Sequence, residues 1–147
     1  MNSKQYALLI LFIACAGISL RIYTFIQSSW MIDYDEALIG ISALNVIDTG
    51  DIPATIPGQS TIGSIEIIIL SVLYQIDAPV NILLRIYSLA INMLYIITVG
   101  YLARNIGGEK VGLAAALLAA IPSPYMIVTG SKIWGATIET IVAGNFL

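Results

Sequence analysis

The run Leu83-LRIYSLAINMLYIITVGY-Leu102 decides the fold, because it holds twenty residues with a single charge, Arg85. At ~1.5 Å per residue such a helix crosses the ~30 Å hydrocarbon layer of a bilayer. Its exit, Arg104-Asn-Ile-Gly-Gly-Glu-Lys110, is polar and basic. The Gly107-Gly108 pair reads as a turn between spans, since no phosphate-loop pattern follows it. Upstream, Tyr6 to about Phe25 is a second apolar run behind Lys4. It is too long for a secretory leader and has no small-residue cleavage site, so it reads as a retained span. Arg21, near its far end, is expected to snorkel to the interface. Downstream, Val111 to about Val128 is rich in small residues through Gly112-Leu-Ala-Ala-Ala116, as close helix packing in membranes prefers. Pro122 and Pro124 bend or end it, and a fourth apolar run starts near Gly135.

Composition agrees with lipid as the main solvent. Hydrophobic residues make up 59% of the 147 and charged residues 10%, where an ordinary globular domain has roughly 45–50% and about 25%. Mean hydropathy is +0.93. Histidine does not occur, which removes the commonest metal ligand and general base. The single cysteine, Cys15, has no intrachain partner for a disulfide and is expected to pack or face lipid. Any chemistry therefore rests on carboxylates. The final residues, Ile141 to Leu147, stop within an apolar run, so the chain is read as a portion of a longer protein.

Between positions 27 and 81 lie seven of the nine acidic residues: Asp33, Asp35, Glu36, Asp48, Asp51, Glu66 and Asp77. Asp33-Tyr-Asp-Glu-Ala37 opens a helix with Leu38, Ile41, Leu44 and Ile47 on one stripe, ended by Asp48-Thr-Gly-Asp51. That pattern fits a helix lying along a membrane surface. Pro53 and Pro57-Gly58 impose an irregular connection to a second apolar stretch, 62–76, which is short for a span and reads as partly embedded.

The expectation is an all-α polytopic membrane protein forming one domain over 1–147, with spans at about 6–26, 82–104, 111–128 and 135 onward. An external loop, 27–81, carries interfacial helices at about 34–47 and 62–76. The positive-inside rule puts Lys4 and the Arg104/Lys110 loop together on the cytoplasmic side, with the acidic loop and Lys132 outside.

Asp33, Asp35 and Glu36 sit at a helix start, where a carboxylate can act as a general base or hold a cation. The same spacing makes Asp33 and Glu36 a capping-box variant favoured by the helix dipole. Both readings stand, and Asp35 is the residue that capping explains least. Glu66 and Glu139 each open an apolar helix, as functional acids or as headgroup-level N-terminal acids. Arg85 can snorkel or hold an anionic group such as a phosphate. Trp30, Tyr74, Tyr87 and Trp134 read as interface anchors.

The order of these features resembles the N-terminal part of the polyprenyl-phosphate-sugar-dependent glycosyltransferases of the glycosyltransferase C superfamily, particularly dolichyl-phosphate-mannose-protein-mannosyltransferase-like membrane proteins. Asp35-Glu36-Ala37 after the first span is similar to the acidic pair that opens that family's first external loop. Thr49-Gly-Asp51, Pro57-Gly-Gln59 and Gly63-Ser-Ile-Glu66 resemble the loop before its second interfacial helix. Leu84-Arg85-Ile-Tyr-Ser-Leu89 and Tyr101 through Gly108 resemble its second span and cytoplasmic exit. Ala114 to Pro122 and Gly135 to Gly144 resemble its third span and the start of its fourth.

The resemblance implies transfer of a sugar from a polyprenyl phosphate donor to an acceptor hydroxyl at the external face of the plasma membrane. Asp35 would be the general base and Glu36 would orient it. Arg85 would stabilise the departing lipid phosphate, with Glu66, Gln59 and Glu139 as further sugar or acceptor contacts. The acceptor is not specified, no nucleic-acid partner is expected, and the carboxylates permit a divalent cation without demanding one. The His-Pro-Pro-type sequence of the protein mannosyltransferases proper is absent, with Ile56-Pro57-Gly58 in that region, which argues against a true protein O-mannosyltransferase. Because only the N-terminal portion is matched, this chain by itself is expected to be inactive. Competing readings are a non-catalytic membrane subunit or assembly factor and, less well matched, a transport component.

Overall fold

The computed structural model describes residues 2–27, 31–56, 58–76, 78–121, 133 and 137–147, with the backbone alone for 59–63. These residues form α1 (Ser3–Gln27), α2 (Tyr34–Thr49), a hairpin of β1 (Thr55–Ile56) and β2 (Gln59–Gly63), α3 (Ile65–Leu73), α4 (Val80–Gly107), α5 (Glu109–Ala120) and α6 (Thr137–Gly144). The protein is thus mostly helical. Among the described residues two helices, α1 and α4, are long and apolar enough to cross a membrane, with mean hydropathies of 2.1 and 1.9 over their most apolar stretches. The expected third span coincides with α5 as far as Ala120; its continuation from Pro122 lies outside the described residues, as do Trp30, Asp77, Lys132 and Trp134.

The helix expected over 62–76 begins only at Ile65. Thr61 and Ile62, whose β-branched side chains suit a strand, belong to β2, which pairs antiparallel with β1. Gly58, at φ 81°, supplies the left-handed residue that turns the chain. The Ser64 hydroxyl then donates to the Pro53 carbonyl and ties the hairpin to the head of α3. Gly50, at φ 76°, ends α2 with its N–H on the Val46 carbonyl at 2.9 Å, a left-handed C-cap.

Helices α1, α4 and α5 pack as a tight trio. The Tyr6 hydroxyl donates to the Gly100 carbonyl at 2.8 Å, and the Arg104 guanidinium lies 4.3 Å from the centre of the Tyr6 ring. Arg104 also pairs with Glu109 at 3.1 Å. The N-terminal turn of α1, with Lys4, and the basic 104–110 connection therefore share one end of the bundle. Ile10, Ile13, Ala14, Ile96, Ala116 and Ala119 fill the space between the three helices. A Cβ added at Gly112 would stand 2.7 Å from the Gly100 carbonyl oxygen and would also strike the Tyr6 hydroxyl. The closeness of this crossing depends on the missing side chain.

Arg21 does not snorkel. It is 2% exposed, enclosed by α1, α4 and α5. Its Nε donates to Asn92 Oδ1 at 2.9 Å, and Nη1 donates to the Gly17 and Ala120 carbonyls at 3.1 and 3.2 Å. Nη2 donates to the Ala119 carbonyl at 3.3 Å. The cause is the length of α5. Twelve residues reach only about 18 Å, so the helix ends beside the other two with its last carbonyls in need of donors. A cation at the negative end of the helix dipole meets that need.

A second core at the opposite end joins Ile39 and Ala43 of α2, Ile56 of β1, Ile67 and Leu70 of α3, Leu84 and Tyr87 of α4, and Ile133. Helix α6 runs beside α4 in the same direction, with Glu139 level with Tyr87 and Asn145 Nδ2 donating to Thr98 Oγ1 at 2.9 Å.

Gly112→Ala should destabilise the detergent-solubilised protein by about 1–3 kcal/mol, the usual cost of overpacking, read as a lower midpoint of thermal unfolding. Arg21→Leu should cost more than Arg21→Lys in the same measurement, since leucine leaves each abandoned carbonyl at a cost of about 1–3 kcal/mol.

Candidate functional site

The site is built at the start of α2. Asp33 is the N-cap, in an extended conformation, and its Oδ1 accepts the Glu36 N–H at 3.0 Å. Glu36 Oε2 accepts the Asp33 N–H in return at 3.3 Å, which completes a capping box. With the first turn fixed in this way, Glu36 faces the bundle and is wholly buried. Asp35, one residue earlier, is half-buried.

Arg85 meets Glu36 from the second turn of α4. Nη1 donates to Glu36 Oε1, and Nη2 donates to Oε2 at 3.0 Å. Nη2 also donates to the Met31 carbonyl, and the guanidinium lies 5.3 Å from the centre of the Phe25 ring. The Ile133 N–H donates to Glu36 Oε1 at 3.2 Å. Four N–H groups from three parts of the chain thus converge on one carboxylate. Arg85 is 3% exposed, so the pair is sheltered from water on both sides. A buried ion pair of this kind depends on a full set of hydrogen bonds to offset its desolvation.

Of the remaining sequence candidates, Glu66 and Glu139 border the second core. Glu66 is wholly buried in the first turn of α3, whose Ile67 and Leu70 share a core with Leu84, Tyr87 and Ile133. Glu139, in the first turn of α6, is half-buried and its Oε1 accepts the Tyr87 hydroxyl at 2.8 Å. Tyr87 is 3% exposed, so it belongs to the core and is not an interface anchor. Tyr74 closes α3, with its hydroxyl 3.1 Å from where a Cβ on Gly40 would lie. Burial holds its phenol above the ordinary tyrosine pKa. Gln59 lies in β2, where its backbone pairs with Ile56. Among the described residues no three carboxylates or thiols come together as a metal ion would require.

Sequence reasoning did not single out Phe25, the Met31 carbonyl or the Ile133 amide as neighbours of this site. Phe25 sits one helical turn beyond Arg21 and carried only the signal of one more apolar residue. The other two contacts are made by backbone and leave no trace in residue identity. No protein-family model matches the chain, and no curated protein or solved structure matches it either.

The pair yields a clear energetic expectation. Replacing either Glu36 or Arg85 alone with leucine should destabilise the protein by about 3–5 kcal/mol, because one buried charge loses its partner. The double Leu variant should be less destabilised than the sum of the two single changes, by thermal or denaturant unfolding at matched detergent.

Proposed function

We propose that this chain corresponds to the N-terminal portion of a multi-pass glycosyltransferase of the plasma membrane, its active face extracytoplasmic. The enzyme moves a sugar from a polyprenyl phosphate donor to an acceptor hydroxyl. The observation that carries this reading is a partly exposed Asp35 in the helical turn that supplies the buried Glu36–Arg85 pair, at the end of the bundle away from the Lys4 and Arg104–Lys110 segments. A carboxylate beside an anchored cation is the minimum equipment for inverting displacement at a phosphorylated sugar.

In this reading Asp35 removes the proton from the acceptor hydroxyl as its oxygen attacks the anomeric carbon. The bond between that carbon and the phosphate oxygen breaks, and the lipid phosphate departs with the electron pair. Arg85 supplies positive charge for the departing phosphate, a preorganised electrostatic contribution of the kind that dominates many active sites. Before the donor arrives Glu36 holds both in place, through the capping box on one side and the guanidinium on the other. Glu66, Gln59 and Glu139 are contacts for the sugar or the acceptor. Helices α2 and α3 carry exposed apolar residues, among them Ile41, Ile47, Ile65 and Val72, which suit them to lie in the headgroup layer.

The second reading, a non-catalytic membrane subunit or assembly factor, is favoured by one observation. The capping box is complete and Glu36 is satisfied by Arg85 and backbone alone, as a structural brace would be.

The test is transfer of labelled sugar from a polyprenyl phosphate donor in membranes, comparing the complete open reading frame with its Asp35→Asn variant at equal expression. The glycosyltransferase reading expects a loss of about 10²–10⁴-fold, the usual contribution of a general base. Transfer unchanged in the variant removes Asp35 from the chemistry, and no transfer by either protein favours the subunit.

A further inference from the structure

An arginine fork binds a carboxylate and a phosphate with the same two parallel N–H donors. In this protein the fork of Arg85 is filled by the chain's own Glu36, and the Asp33 and Ile133 amides point at the same two oxygens. Such a convergence of donors is what an oxyanion site looks like when a side chain occupies it. The occupying carboxylate has a second duty, because it is the third residue of α2 and closes the capping box that holds the first turn. It cannot keep both engagements if another anion takes Arg85. Its neighbour in that same turn is Asp35.

We infer that Glu36 is the resident occupant of an oxyanion site, and that a phosphate ester arriving at Arg85 displaces it and so releases the turn that carries Asp35. Anion binding and the position of Asp35 are then linked. Whatever holds Glu36 in place weakens the anion, and the anion in turn loosens the cap, by the reciprocity of linked equilibria. While Glu36 fills the fork, Arg85 is neutralised and the turn that carries Asp35 is fixed. With phosphate bound, the carboxylate swings away and Asp35 gains freedom to approach an acceptor. The inference rests on the proposed glycosyltransferase for the role given to Asp35, while binding and release of the turn can be measured without any transfer.

The experiment uses the full chain in lipid nanodiscs, titrated separately with inorganic phosphate and with farnesyl phosphate. Hydrogen exchange at the Asp33 amide is the readout, because that N–H has Glu36 Oε2 as its acceptor. Exchange at Asp33 is expected to accelerate as ligand binds to the wild type. Glu36→Gln keeps a capping side chain but loses the competing charge, so it should bind about tenfold tighter, or ~1.4 kcal/mol, while Arg85→Gln should not bind. A response to both ligands assigns recognition to the phosphate itself, and a response to farnesyl phosphate alone assigns it to a lipid-linked phosphate. Either supports the site. Binding that leaves Asp33 exchange unchanged overturns the inference, as does absence of binding by the wild type, and neither result needs a variant that folds. A Glu36→Gln protein that folds and binds no tighter overturns it too. Sugar transfer that survives such a result would leave the glycosyltransferase reading standing, so the two failures can be told apart.

Discussion

The contact between Glu36 and Arg85 is the constraint on which the end of the bundle formed by α2, α3 and the start of α4 depends. Helix α2 has apolar residues on both its buried and its exposed sides and could rotate or slide on a bed of isoleucine and leucine, since dispersion alone sets no register. One carboxylate facing inward removes that freedom. It must meet a cation, and α4 offers Arg85 in its second turn. The same guanidinium then holds the Met31 carbonyl and covers the Phe25 ring at the end of α1, while the Ile133 amide completes the carboxylate's shell. Three stretches of chain far apart in sequence are thereby brought to one point. Taking both charges out of water is costly, and the cost is offset only while every donor stays in place. The geometry is correspondingly specific, and the position of Asp35 is set with it.

The opposite end, where α1, α4 and α5 pack, is held by different means. There the helices approach until Gly112 and Gly100 leave room for backbone to touch backbone, and Tyr6 bridges from α1 to α4 through one hydrogen bond. Arg21 links the two ends. It ends α5, braces Asn92 and, through Gly17, its own helix. A charge in that position has no carboxylate in the hydrogen bonds described for it. It is satisfied instead by carbonyl dipoles, which suffices because the end of a helix gathers several of them together.

Much of this arrangement was legible in local sequence. The length and hydropathy of α1 and α4 mark both helices, and Asp33 with Glu36 three residues on marks the start of α2 down to its capping box. The basic ends foretold that Lys4 and the 104–110 connection would lie together. What could not be read was long-range. Arg21 near the end of an apolar run has the pattern of an interfacial anchor, and only the early end of α5 shows that it has carbonyls to serve. Tyr87 likewise matched an aromatic belt until Glu139, fifty-two positions away, supplied its acceptor. The hairpin at 55–63 was hidden because Ile62 continues the apolar run of α3, although Thr61 already favoured a strand and Gly58 a turn. For the candidate site, residue types were visible while the pairing of Arg85 with Glu36 was not, since nothing local distinguishes an arginine awaiting a ligand from one already engaged.

The proposed glycosyltransferase requires the acidic end of the bundle to face outward and the basic end inward. That orientation is tested most directly by labelling single cysteines in intact cells after Cys15→Ser. Asn45→Cys lies on the exposed side of α2 and Lys110→Cys at the opposite end. A membrane-impermeant maleimide should label position 45 from outside, and position 110 only after the membrane is opened. Labelling of both from the same side, or of position 110 alone in intact cells, would contradict the account.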